Sequence, residues 1–173
     1  DSLMPTLFGF IYIPFLLHFL IKIFHLNTSY ENSVGSGLFL AFWVVGVAVA
    51  TDIGGYLFGK ILGKTKFSII SPKKTNEGAV GGVLFAALIG LLLVLIFPDS
   101  APPQLTWWKA FIVSIPLSFA AIASDLIESA FKRQAGEKDS STMIPGMGGI
   151  FDLCDSIVLT APLAYLILKF FVF

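Results

Sequence analysis

Residues 124–156 read SDLIESAFKRQAGEKDSSTMIPGMGGIFDLCDS, a polar and charge-dense run of 33 residues. Its carboxylates include Asp125, Glu128, Asp139, Asp152 and Asp155, with Lys132, Arg133 and Lys138 between them. In a soluble protein such a run would be an ordinary solvated surface. Here both flanks are long apolar segments. A charge carried to membrane depth costs about 2.5–3.5 kcal/mol on insertion scales, so charges there are read first as functional.

Outward from this run the chain is built for lipid. Of 173 residues, 56% are hydrophobic and only 13% charged, and the mean hydropathy is +0.88. That excess exceeds what a core of this size needs and implies an all-α, polytopic integral membrane protein. A zero net charge offers no electrostatic case for nucleic acid, and the single cysteine, Cys154, excludes an internal disulfide. A spanning helix needs about 20 apolar residues. Five segments qualify, at 7–24, 37–58, 79–97, 107–131 and 150–171, and no linker separates them, so residues 1–173 form one membrane domain. The chain opens on Asp1 without a charged leader or a small-residue cleavage site, and further N-terminal helices are expected in a longer chain.

The connecting loops set an orientation. Lys60, Lys64, Lys66, Lys73 and Lys74 lie between the second and third segments, and Lys132, Arg133 and Lys138 between the fourth and fifth. The loops HLNTSYENSVGS and PDSAPPQLT carry no Lys or Arg. Lys and Arg mark the cytoplasmic side, so both basic loops face the cytoplasm, and Trp107 and Trp108 fall at the outer interface. Asp52, Asp125 with Glu128, and Asp152 with Asp155 then reach one membrane level from three helices.

Asp152 and Asp155 share a helix face, as do Asp125 and Glu128. Carboxylates grouped without His or Cys suit a hard cation such as Mg2+. Capping is the bland alternative: acids in the first turn of a helix meet its dipole favourably. It covers Asp152 and Asp155 but not Asp52 or Asp125, which sit toward helix C-termini. His18 and His25 read as packing or interfacial residues, and Cys154 as a small core residue. Ser71-Pro72 sets a turn from which Lys73 and Lys74 project, followed by Gly78, Gly81 and Gly82, which permit close backbone approach. The turn Pro145-Gly146-Met147-Gly148-Gly149 offers backbone N–H groups to a phosphate, or simply returns the chain to the membrane. Acids for a metal, lysines for phosphates and a site at the lipid interface together suggest phosphoryl or nucleotidyl transfer to a lipid.

These residues resemble the phosphatidate cytidylyltransferase (CDP-diacylglycerol synthase) family. The resemblance rests on Ser129, Lys132-Arg133, Lys138-Asp139-Ser140, the turn 145–149, and Asp152 with Asp155. Upstream, ATDIGGYLFGKILGK and ISPKKTNEGAVGG are similar to other shared segments, so residues 50–156 form the catalytic region. Two positions depart from the pattern: Met147 stands where the family has His, and Leu153 where it has Arg. What the resemblance implies is transfer of CMP from CTP to phosphatidic acid at the cytoplasmic face of a bacterial inner membrane. Asp125, Asp152 and Asp155 would hold Mg2+, with a second cation open, and together with Lys132 would form the catalytic set. Ser71, Lys73, Lys74, Ser129, Arg133, Lys138, Asp139, Gly148, Gly149 and Asp52 would bind substrate or support that set. Membrane lipids and a homodimer partner remain open expectations. The competing readings are a polyprenol kinase, an archaeal-type lipid cytidylyltransferase, a non-catalytic relative and an ion-coupled transporter. The transporter would place its acids at the bilayer midplane and show inverted repeats, which the sequence does not.

Overall fold

The computed structural model describes the backbone at residues 3–26, 33–67, 74–134 and 150–173, and side chains at 14–26, 35–67, 74–134 and 155–173. Five helices follow in order: α1 (Leu3–Phe24), α2 (Ser33–Leu62), α3 (Asn76–Ile96), α4 (Trp107–Gln134) and α5 (Ile150–Ile167), the last continued by a π turn, Leu168–Val172. Among the described residues there is no strand beyond one isolated bridge, Lys66 with Thr75. Each helix from α2 to α5 packs on the next in sequence, and α1 closes the bundle against α5 and α2. Four of the helices are long and apolar enough to cross a membrane, while the stretch Pro14–Phe24 of α1 is a shorter apolar helix. The protein is an integral membrane protein of all-α architecture.

The burial pattern is that of a bundle in lipid. On α3, Val80, Leu84, Leu88, Leu92 and Leu95 are exposed along one stripe, while Gly78, Gly81, Gly82, Ala86 and Gly90 are buried on the other. Large apolar side chains face outward because lipid costs them nothing; small ones face inward because helices in lipid gain by close van der Waals approach. The core holds Trp43, Leu40, Val44, Val47, Leu117 and Leu168. Pro14, Pro116 and Pro162 lie inside helices, where neighbouring helices can meet the freed backbone groups.

The helices extend beyond their hydrophobic segments at the lysine-rich end. α2 runs to Leu62 rather than 58, and α4 to Gln134 rather than 131. A hydropathy window ends where polar residues begin, but a helix need not stop at the hydrocarbon boundary. Asp52 and Asp125 consequently sit ten and nine residues before their helix ends, well beyond the last turn to which dipole repulsion is confined. The unfavourable dipole expected at these two acids is therefore absent.

One buried hydrogen bond ties the core. Trp43 Nε1 donates to the Gly90 carbonyl at 2.8 Å. Trp43→Phe is expected to destabilise the bundle by about 1 kcal/mol, the usual worth of an interhelical hydrogen bond in a membrane protein, read as a lower melting temperature in detergent.

Candidate active site

The glycines decide where a cavity can form. Gly55 and Gly59 stand one turn apart on α2, and opposite them Gly78 opens α3. A Cβ at Gly78 would lie 2.7 Å from the Gly55 carbonyl oxygen and 2.9 Å from the Gly59 Cα. The two helices thus meet backbone to backbone, and their side chains splay to the flanks. On one flank opens a cavity of about 580 Å³. It is lined by Thr51, Asp52, Tyr56 and Lys60 of α2, Phe67, Lys74 and Thr75 of the connector, Ile122 and Asp125 of α4, and Asp155 of α5.

The connector is fastened on both sides of residues 68–73. The Phe67 N–H donates to the Lys74 carbonyl at 2.8 Å, and the Asn76 N–H to the Thr65 carbonyl at 3.1 Å. The Glu77 carboxylate accepts from the Lys64 N–H at 3.1 Å, the Thr65 N–H at 3.2 Å and the Thr65 hydroxyl at 2.9 Å. Thr75 caps α3, its hydroxyl accepting the Gly78 N–H at 3.1 Å. So anchored, Lys74 reaches across the cavity and pairs with the Asp125 carboxylate, which also accepts from the Ser129 hydroxyl at 3.3 Å.

Asp52 and Asp155 line the same cavity and are bridged by Ser156. The Ser156 hydroxyl donates to Asp52 Oδ2 at 2.5 Å and lies 3.1 Å from Asp155 Oδ1, which accepts the Ser156 N–H at 2.6 Å. Buried Ser124 of α4 donates to the Asp155 carbonyl and accepts the Leu159 N–H at 3.3 Å. The structure thus brings together Asp52, Lys74, Asp125 and Asp155 on one cavity, with Ser129 attached through Asp125. Lys132 is ion-paired at 2.9 Å with Glu128, which is 3% exposed, and neither lines the cavity. Arg133 is exposed on the last turn of α4. Ser71, Lys73, Lys138, Asp139, Met147, Gly148 and Gly149 lie outside the described residues, as do the side chains of Asp152, Leu153 and Cys154. His18 is exposed on α1, and the His25 ring, 5.0 Å from that of Phe24, hydrogen-bonds the Ile21 carbonyl at 2.8 Å.

Sequence reading missed Ser124, Ser156, Tyr56, Thr51 and the cavity-side role of Lys60, which it placed in a loop and which lies within α2. A signal for part of this exists. Asp52, Tyr56 and Lys60 recur every four residues, as do Gly55 and Gly59, with Gly63 just past the helix end, so one α2 stripe carries polar groups beside another that is bare.

The donor set fits a hard divalent cation in kind: its acidic groups are all carboxylates, with hydroxyls beside them. Among the described residues no three His, Cys, Asp or Glu are grouped closely enough to hold a metal; the expected third member, Asp152, has its side chain outside that description. Its backbone opens α5 one turn before Asp155.

The class the fold and site define is an integral membrane bundle with three acids and a lysine lining one cavity. Comparison with known proteins narrows it: the sequence model of the cytidylyltransferase family matches residues 1–171, and the chain belongs to that family. A phosphatidate cytidylyltransferase of Staphylococcus saprophyticus is 43% identical over 131 residues, 75% of this chain and 46% of that protein. One of Synechocystis sp. is 41% identical over 139 residues, 79% of this chain and 45% of its own. One of Staphylococcus aureus (strain COL) is 44% identical over 131 residues, 75% of this chain and 46% of its own. The chain spans about half the length of the curated relatives it matches.

Proposed function

We propose that the protein transfers CMP from CTP to phosphatidic acid, giving CDP-diacylglycerol and pyrophosphate, at the cavity between α2, α3, α4 and α5. The observation that carries this reading is the facing of Asp52, Asp125 and Asp155 with Lys74 in one cavity. Family membership and the names of the relatives support the chemistry. Lys60, Lys64, Lys66 and Lys74 gather at this end of α2 and α3, and such an excess of lysine supports a cytoplasmic mouth, where CTP is available.

An oxygen of the phosphatidate phosphate attacks the α-phosphorus of CTP. A new P–O bond forms, the α–β anhydride bond breaks, and its electrons leave with pyrophosphate. A phosphate monoester is largely ionised at neutral pH, so no strong base is needed. Lys74, released from Asp125, neutralises phosphate charge, and Lys60 does so nearer the mouth. Charge neutralisation and alignment supply most of the acceleration in such transfers. Asp125, Asp152 and Asp155 would hold Mg2+, which when bound supplies positive charge against the triphosphate. Asp52 lines the same cavity and would support this set.

The test is CMP transfer from labelled CTP to phosphatidic acid by the protein in detergent. Labelled CDP-diacylglycerol with stoichiometric pyrophosphate is expected, and EDTA is expected to stop turnover until Mg2+ is restored. Release of CDP instead would make the protein a lipid kinase. Turnover indifferent to EDTA would remove the metal from the proposal.

A further inference from the structure

Ser156 sits at a junction the reaction scheme does not require. It is 3% exposed and belongs to α5, yet its hydroxyl contacts a carboxylate of α2 at 2.5 Å and one of its own helix at 3.1 Å. Like charges this close repel, so something must hold Asp52 and Asp155 at a fixed separation. A hydroxyl has one proton to give and is fixed here by its backbone: the Ser156 N–H holds Asp155 Oδ1 at 2.6 Å, and the Ser156 carbonyl accepts from the Thr160 hydroxyl at 2.6 Å. On the α4 side, Ser124 bonds the Asp155 carbonyl and the Leu159 N–H. The start of the described part of α5 is thereby tied to α4 and α2 by two buried serines. Of these two, only Ser156 reaches carboxylates that line the cavity.

We infer that Ser156 is a positioning residue, whose hydroxyl joins α5 to α2 and sets the spacing of the Asp52 and Asp155 carboxylates that face the substrate phosphates. The inference rests on the proposed transfer for its consequence in turnover, and on hydrogen-bond geometry alone for its consequence in structure. A hydrogen bond to a charged group in a site shielded from water changes a rate by about tenfold or more when removed. Cysteine nearly preserves the volume of serine but is a weak donor, so it separates the hydrogen bond from packing.

The experiment is a double-mutant cycle on protein in detergent. Ser156→Ala and Ser156→Cys are each expected to lower kcat about tenfold or more, with KM for CTP changed less than about threefold. Ser156→Ala combined with Asp52→Ala should fall no further than Asp52→Ala alone. Wild-type kcat in Ser156→Cys would reduce the residue to packing and overturn the inference, as would independent, multiplicative losses in the cycle. The same cycle read as melting temperature without substrate keeps the two readings apart. If the wild type transferred no CMP while the melting shifts were still coupled, the proposed function would fall and the Ser156 link would stand. Additive melting shifts would overturn the link.

Discussion

Asp155→Asn is expected to lower CMP transfer about a hundred- to thousandfold, the range seen when one preorganised charged or polar group is removed from a transfer site, while the protein melts at the wild-type temperature or above. The two signs come from the same geometry. Asparagine keeps the shape of the side chain, and its Oδ1 can still accept the Ser156 N–H that Asp155 takes at 2.6 Å. Only the negative charge is lost. In the proposed reaction that charge would help hold Mg2+. For the fold it is a burden, because Asp52 and Asp125 line the same cavity and the Glu128 carboxyl lies against that of Asp155, and like charges this close repel. Asp152→Asn should act in the same direction on turnover. Initial rates with labelled CTP across a Mg2+ titration, beside a melting curve, check both signs. Near-wild-type turnover in either variant would remove that residue from the metal set.

A site whose residues cost stability while serving activity is the ordinary condition of an active centre. The remainder of this bundle shows the contrast. Two buried serines away from the cavity are satisfied within their own helix: Ser114 donates to the Ala110 carbonyl at 2.8 Å, and Ser118 to the Ser114 carbonyl at 2.8 Å. That habit also explains what a sequence reader misses. A serine in a spanning helix usually bonds back to the preceding turn, and nothing in the letters sets Ser124 or Ser156 apart from Ser114. Only the crossing of α5 over α2 and α4 shows that the first two bond outward.

Helix positions were legible because hydropathy integrates over about 20 residues and lipid permits few alternatives. Helix ends were less so: Gly59 and Lys60 end an apolar window without ending α2. The three-residue spacing of Asp125 and Glu128 correctly placed both on one broad face of α4. It could not say that the cavity edge falls between them, sending Asp125 to Lys74 and Glu128 behind the lining, against Lys132 and the Asp155 carboxyl. Side-chain spacing fixes an angle around a helix; which neighbour lies at that angle is a property of the packing. The glycine contact was half legible, since Gly78, Gly81 and Gly82 announced close approach, while Gly55 and Gly59 on the receiving helix carry the same four-residue signature and were passed over.

That contact carries the second large effect. A Cβ at Gly82 would meet the Thr51 carbonyl oxygen at 2.7 Å and the Gly55 nitrogen and Cα at 3.0 and 3.2 Å. All three are backbone atoms of α2, so no side chain can swing aside, and relief requires α3 to move away from α2 by several tenths of an ångström. Gly82→Ala should therefore cost at the upper end of the overpacking range, about 3 kcal/mol, and Gly82→Val more. The displacement also reaches the cavity, because Gly55, Gly59 and Gly78 line it, and a shift near 1 Å in a reacting site is worth about a hundredfold in rate. Activity should thus fall in Gly82→Ala even at temperatures where the protein remains folded. Gly35→Ala is the control, since its Cβ would meet nothing within 4 Å, and it should leave both melting and turnover unchanged. The order Gly35→Ala, Gly82→Ala, Gly82→Val in falling melting temperature is the expected result. A Gly82→Val protein that melted with the wild type and turned over normally would show that α2 and α3 do not meet backbone to backbone, and with that the cavity they frame would lose its basis.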